Sequence, residues 1–166
     1  MTLIDPSSLL TLTDWAHRHV GQFRPNGPGR RFGDLARLNA PPIWRAIKTS
    51  LLQPYQITDW ILEPIYRDYC GFITEGGAVH PHQDPRQNGR DHIRINLVLS
   101  KPEHGGEPTQ DGITIPLPEI GYSWRCDAGQ AVHACTMVHG SVPRIILSFG
   151  FLVPLEYRQT AEVFFR

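Results

Sequence analysis

Residues 92–100 read HIRINLVLS, and their alternation is the strongest structural signal in the chain. Side chains along a strand point alternately to its two faces, so Ile93, Ile95, Leu97 and Leu99 share one face. His92, Arg94, Asn96 and Ser100 share the other, with Val98 among them. A second stretch, RIILSFGFL at 144–152, repeats the pattern: Arg144, Ile146, Ser148 and Gly150 on one side, and Ile145, Leu147, Phe149 and Phe151 on the other. Each segment is predicted to be a strand with one strongly apolar face. Its other face either meets water, as in an ordinary amphipathic strand, or turns inward in a barrel.

The segments around these two are short and punctuated by turn residues from Tyr69 onward, among them Gly76-Gly77, Gly105-Gly106, Pro116 to Pro118 and Gly140-Ser141. Short strands at such intervals predict a β-sandwich or barrel. The front of the chain reads differently. Asp5-Pro6-Ser7-Ser8 is a helix start, and Leu9, Leu10, Leu12, Trp15, Ala16 and Val20 form a rough helical stripe, predicting a helix over about residues 7–20. A second helix is predicted from Pro42 to Leu52, on the spacing of Ile43, Trp44, Ile47 and Leu51. Residues 24–33 are a loop by Pro and Gly content, and Ile57 to Asp68 fits helix and strand equally. The expectation is a single domain over 1–166, with a helical front at 1–68 and a barrel core at 69–153.

The chain's 166 residues suit one domain with one core. Sixteen basic residues balance sixteen acidic ones, which argues against a nucleic-acid binder that works by neutralising phosphates. Fourteen of the sixteen basic residues are Arg, a planar fork suited to carboxylates, although codon usage in a GC-rich genome explains such a bias equally well. No apolar run reaches membrane-spanning length, and the N-terminal residues lack a secretory pattern, so a cytoplasmic protein is expected, with no membrane partner. Cys70, Cys126 and Cys135 are widely spaced and odd in number, which suggests neither a disulfide framework nor a zinc ribbon.

Five of the eight His residues lie between positions 80 and 133. Within that interval His82-Gln83-Asp84 places an imidazole and a carboxylate two residues apart, so that both can converge on one ion from a short extended element. A distant His would complete two nitrogens and one oxygen on one face of an octahedron, the arrangement used by non-haem Fe(II) oxygenases. An isolated H-x-D is common by chance. Here it is followed in order by HIRINLVLSKPEHGGE, by Asp127-Ala128-Gly129-Gln130-Ala131-Val132, by His139-Gly140, and by Arg144 with Ser148 four residues later.

Over about residues 69–153 this order resembles the Fe(II)/2-oxoglutarate-dependent dioxygenases. The resemblance implies a mainly β fold, a double-stranded β-helix (a jelly-roll or cupin-type barrel) supported by the N-terminal helices. It also implies Fe(II) and O₂, with 2-oxoglutarate as cosubstrate. His82, Asp84 and His139 would be the catalytic iron ligands. Arg144 would pair with the distal carboxylate of 2-oxoglutarate, assisted by Ser148. Arg94, Asn96 and Tyr69 are further candidates for contact with cosubstrate. The distal ligand has an alternative. His139 fits the distance from Ala128-Gly129 but stands only five residues before Arg144, whereas His133 stands eleven before it.

Tyr122 is a further candidate for a hydrogen bond to the cosubstrate, and Trp124 and Arg125 for the substrate entrance, while His17, His19, His92 and His104 read as surface or structural residues. The expected reaction is hydroxylation of an unactivated C–H bond in a small metabolite, an amino acid or a peptide or natural-product intermediate. A cupin-like metalloenzyme without 2-oxoglutarate and a noncatalytic jelly-roll binding module are the competing readings.

Overall fold

The computed structural model describes residues 4–117 and 119–155; Pro118 and the end of the expected domain at 156–166 lie outside the described residues. Helix α1 (Pro6–His19) begins where the Asp5 carboxylate accepts the Ser8 N–H, with proline in its first turn. Strands β1 (Arg24–Pro25) and β2 (Arg30–Asp34) form a hairpin in the segment expected to be a loop. Helix α2 (Ile43–Leu52) starts one residue later than expected. The ambiguous segment before Asp68 contains only the two-residue strand β3 (Ile61–Leu62) between turns.

The barrel strands are β4 (Tyr69–Ile73), β5 (Val79–His82), β6 (Asp91–Ser100), β7 (Pro108–Gln110), β8 (Ile113–Thr114), β9 (Ser123–Cys126), β10 (His133–Cys135) and β11 (Arg144–Val153). They make two antiparallel sheets. The major sheet runs β1-β2-β4-β11-β6-β9, with β3 added to β11, and the minor sheet runs β5-β10-β7-β8. The result is mainly β, a double-stranded β-helix with two short helices against it.

β6 and β11 pair along nearly their whole lengths, and every residue of both is buried. The alternation read from the sequence therefore divides two interiors. Ile93, Ile95, Leu97, Leu99, Ile145, Leu147, Phe149 and Phe151 pack with Leu9, Leu12, Trp15, Trp44 and Ile47 of the helices, so the helices cover the outer face of the major sheet. Burial of each such side chain contributes about 1.5–3 kcal/mol. On the inner face Val98 and Ile146 pack with Ile115 and Trp124, and the polar residues are enclosed between the sheets instead of meeting water.

Burying so many polar groups requires partners for them. Lys48 and Asp68 form a buried ion pair at 2.8 Å under the rings of Trp60 and Phe151, and Asp68 also accepts the Gly150 N–H at 3.3 Å. Gly150 faces Arg94 closely: a Cβ there would come within 2.7 Å of Arg94 Nη1. No helix among the described residues is long and apolar enough to cross a membrane.

Candidate metal centre and cosubstrate pocket

β5 and β10 place His82 and His133 directly opposite each other as antiparallel partners. Their ring centroids are 4.2 Å apart. Each ring has one nitrogen against a backbone carbonyl, His82 Nδ1 at 2.8 Å from the oxygen of His80 and His133 Nδ1 at 3.2 Å from that of Ala131. A carbonyl only accepts, so Nδ1 carries a proton, and in the neutral ring the lone pair is on Nε2. Both Nε2 atoms approach the Asp84 carboxylate, at 3.6 Å from His82 and 3.9 Å from His133. The chain holds Asp84 there through its N–H, donated to Ala128 O at 2.8 Å, while the Gln83 amide donates to Gly129 O at 2.7 Å.

One ligand atom from each of His82, Asp84 and His133 lies within 4.8 Å of the others. Two imidazoles with fixed tautomers and one carboxylate form a donor set that fits a divalent first-row metal and leaves positions open. Burial, and next the neighbouring His82, lower the pKa of His133, which favours the neutral ligand form.

His139, expected as the distal ligand, is not part of this group. It is exposed and exchanges backbone hydrogen bonds with His104. The chain leaves β10 after Cys135, and Val138 and His139 are tied to Gly77 and His104 before the turn into β11. His139 stands six positions after His133, the partner of His82, and beyond the end of β10. Of the two positions weighed from the sequence, the structure therefore brings His133 to His82 and Asp84.

The same three residues line a pocket of about 180 Å³ between the sheets, together with Tyr69, Arg94, Asn96 and Arg144. Arg144 lies at the start of β11. Its Nε donates to Gly106 O at 2.7 Å and its guanidinium lies over Trp124, but its two Nη nitrogens have no hydrogen-bond partner among the described residues. Gly106 has φ +71°, and a Cβ there would press to 3.1 Å from Arg144 Cδ, so the Gly105-Gly106 turn makes room for the arginine.

Ser148, expected to assist Arg144, instead joins a different network. Arg94 Nε donates to Ser148 Oγ at 2.7 Å, and that hydroxyl donates to Asn96 Oδ1 at 2.6 Å. Arg94 also donates from Nη2 to Arg67 O and Ser148 O, sits 4.5 Å from the Tyr69 ring, and has Nη1 3.6 Å from the buried Glu63 carboxylate. With its fork engaged by the protein, Arg94 is poorly disposed to hold a cosubstrate carboxylate. Asn96 uses its oxygen on Ser148, so its amide N–H₂ is the group left for the pocket. Burial alone would raise the Glu63 pKa, but N–H donors from Ile65 and Tyr66, the Gln87 amide and the Arg94 charge bring it below the usual carboxylate value.

Two residues in this region were not singled out from the sequence for such a role. His92 is almost fully buried, with Nδ1 3.3 Å from Asp84 Oδ2 and Nε2 3.2 Å from Arg94 Nη1. Burial, and then the adjacent Arg94 charge, push its pKa down to about 4. Arg30 of β2 also lines the pocket; its Nε is buried without a hydrogen bond, and its guanidinium lies over Phe32. The alternating polar face of β6 was the available sign for His92. Arg30 fell in a segment whose Gly and Pro content hid the hairpin.

The fold is a double-stranded β-helix, and the His-Asp-His group lies in the pocket between its two sheets. No family model matches the chain, and no curated protein matches it in sequence. Among solved structures it is similar to a prolyl hydroxylase from Trichoplax adhaerens in complex with a hypoxia-inducible-factor peptide fragment, at TM-score 0.64 and 10% identity, covering 96% of this chain and 84% of that one. It is also similar to SnoN, a non-haem α-ketoglutarate-dependent epimerase from nogalamycin biosynthesis, at TM-score 0.65 and 14% identity, with 90% and 74% covered. A third is HygX from Streptomyces hygroscopicus with nickel and 2-oxoglutarate bound, at TM-score 0.62 and 13% identity, with 92% and 80% covered. At these identities the likeness establishes a shared fold.

Proposed function

We propose that the protein is an Fe(II)- and 2-oxoglutarate-dependent oxygenase whose metal ligands are His82, Asp84 and His133. The observation that carries this reading is one pocket holding both a converging His-Asp-His donor set and a guanidinium with unengaged Nη groups. Iron bound with 2-oxoglutarate and O₂ supplies the oxidising chemistry of this class. The residues of the chain do the rest. His82 and His133 present their Nε2 atoms as nitrogen ligands, Asp84 supplies the carboxylate ligand, and Arg144 offers two parallel N–H donors to the distal carboxylate of the cosubstrate. Ile115, Trp124 and Ile146 wall part of the pocket with apolar surface.

The reaction we assign is hydroxylation of an unactivated C–H bond in a small metabolite, an amino acid or a peptide or natural-product intermediate. Asp84 occupies the carboxylate position, so no ligand site is vacated for a halide. The similar structures include an enzyme bound to a peptide and one named as an epimerase, which supports both size classes of substrate and more than one outcome for the same centre. Arg30 supports a substrate with an anionic group, because it is a second cation on the pocket wall with no partner for its buried Nε.

Anaerobic addition of Fe(II) and 2-oxoglutarate tests the reading directly. The visible charge-transfer band of their chelate is the expected result. Folded protein that gives no band would overturn the assignment.

A further inference from the structure

The geometry points to His92 as a positioning residue that fixes the Asp84 carboxylate through a buried chain Glu63–Arg94–His92–Asp84; this rests on the metal-centre reading above. The chain can be followed atom by atom. Glu63 Oε2 is 3.6 Å from Arg94 Nη1, and the same Nη1 is 3.2 Å from His92 Nε2. A guanidinium carries only donors, so it gives a hydrogen to His92 Nε2, and that nitrogen must present its lone pair. The imidazole proton is then on Nδ1, 3.3 Å from Asp84 Oδ2.

Several facts make this more than a packing contact. Glu63, Arg94 and His92 are all buried, so water does not compete for these groups. His92 Nδ1 has no hydrogen bond of good geometry and is a buried donor 3.3 Å from a candidate ligand carboxylate. Arg94 cannot readily turn away, because Ser148 Oγ, Ser148 O and Arg67 O hold its other nitrogens. Gly150 clears the space it fills, since a Cβ there would collide with Nη1. The rigid arginine therefore sets the tautomer of His92. A neutral N–H at one oxygen of Asp84 restrains the carboxylate without neutralising it, and the other oxygen stays available to metal.

Outer partners of this kind typically affect metal affinity by about 10–100-fold. The test uses the full chain, Co(II) as the probe, and chelator competition together with the visible absorption of the Co(II) protein. Wild-type protein is expected to bind one Co(II). Folded His92→Phe should bind it at least about tenfold more weakly with an altered spectrum, and His92→Asn, whose amide N–H₂ can stand near the Nδ1 position, should recover most of the affinity. Equal binding by wild type and His92→Phe, or equal weakening in both variants, would overturn the positioning role.

Failure of wild type to bind Co(II) would instead remove the metal-centre reading, and the inference with it. A measurement free of substitutions keeps the claim exposed if His92→Phe does not fold. Long-range ¹H–¹⁵N correlation spectra of the metal-free protein should show His92 as the Nδ1–H tautomer, and an Nε2–H signal would contradict the chain.

Discussion

His82 and His133 are direct antiparallel partners across β5 and β10, and both present Nε2 toward Asp84 because a backbone carbonyl holds the other ring nitrogen. Replacing either ring removes a candidate ligand, whereas replacing His139 touches only an exposed crossover. His133→Ala should therefore abolish stoichiometric Fe(II) binding, and His139→Ala should leave it near the wild-type level. Equilibrium dialysis with metal analysis of the two proteins decides between the positions, and the opposite pattern would restore His139 as the ligand.

Arg144 should act on the cosubstrate alone. A charge-assisted hydrogen bond contributes about 1.5–3 kcal/mol, so Arg144→Met is expected to weaken 2-oxoglutarate binding by roughly 10–150-fold while Fe(II) affinity stays within a few-fold. Titration of the chelate band at fixed Fe(II) reports the first quantity, and metal competition the second. A Met variant with unchanged 2-oxoglutarate affinity would place the distal carboxylate elsewhere in the pocket.

The Lys48–Asp68 pair lies under Trp60 and Phe151 with both groups mostly buried. Lys48→Met would leave the Asp68 carboxylate in that environment with only the Gly150 N–H. Removing one partner of a buried pair costs about 3–5 kcal/mol, and urea unfolding of the variant should show a loss of that order. A loss below about 1 kcal/mol would mean that water reaches the carboxylate as it does in a surface pair.

His92 gives a pH signature in the metal-free protein. Its pKa is about 4 in the folded chain against an ordinary value near 6.5, so between these two values the unfolded chain binds more protons at this site. This contribution to stability is intact above about pH 6.5 and is lost progressively as pH falls toward 4, at up to about 1.4 kcal/mol per pH unit. Urea midpoints measured across that range should fall with acid in wild type and fall less steeply in His92→Phe. Parallel curves for the two proteins would show that His92 is solvated.

The strands were legible because burial on both faces of β6 and β11 preserves the alternation: Ile93, Ile95, Leu97 and Leu99 read as one stripe whether the opposite face is wet or enclosed. That opposite face was ambiguous for the same reason. Arg94 and Asn96 look like solvent-facing residues until the two sheets are brought together and enclose them. His82 and Asp84 were legible from their spacing on an extended segment. His133 was harder, since counting forward from Ala128-Gly129 favours His139, and only the crossover, with Val138 and His139 paired to Gly77 and His104, consumes the residues that correct the count. Glu63 carried no signal at all. It sits in a stretch without periodicity and becomes a partner of Arg94 only when the chain turns at Ile65 and Tyr66 around its carboxylate.

The division into two unequal sheets also has a mechanical meaning. His82 and His133 stand on the minor sheet, whose strands are short and largely uncovered, while Arg144 and His92 stand on the long buried strands of the major one. A ligand that bridges the metal position to Arg144 would act as a clasp between a firm half and a loose half of the barrel. Amide hydrogens of β5 and β10 should therefore exchange much more slowly once metal and 2-oxoglutarate are both bound, while those of β6 and β11, already protected, change little. On this view the least stable part of the fold is the part its ligands complete.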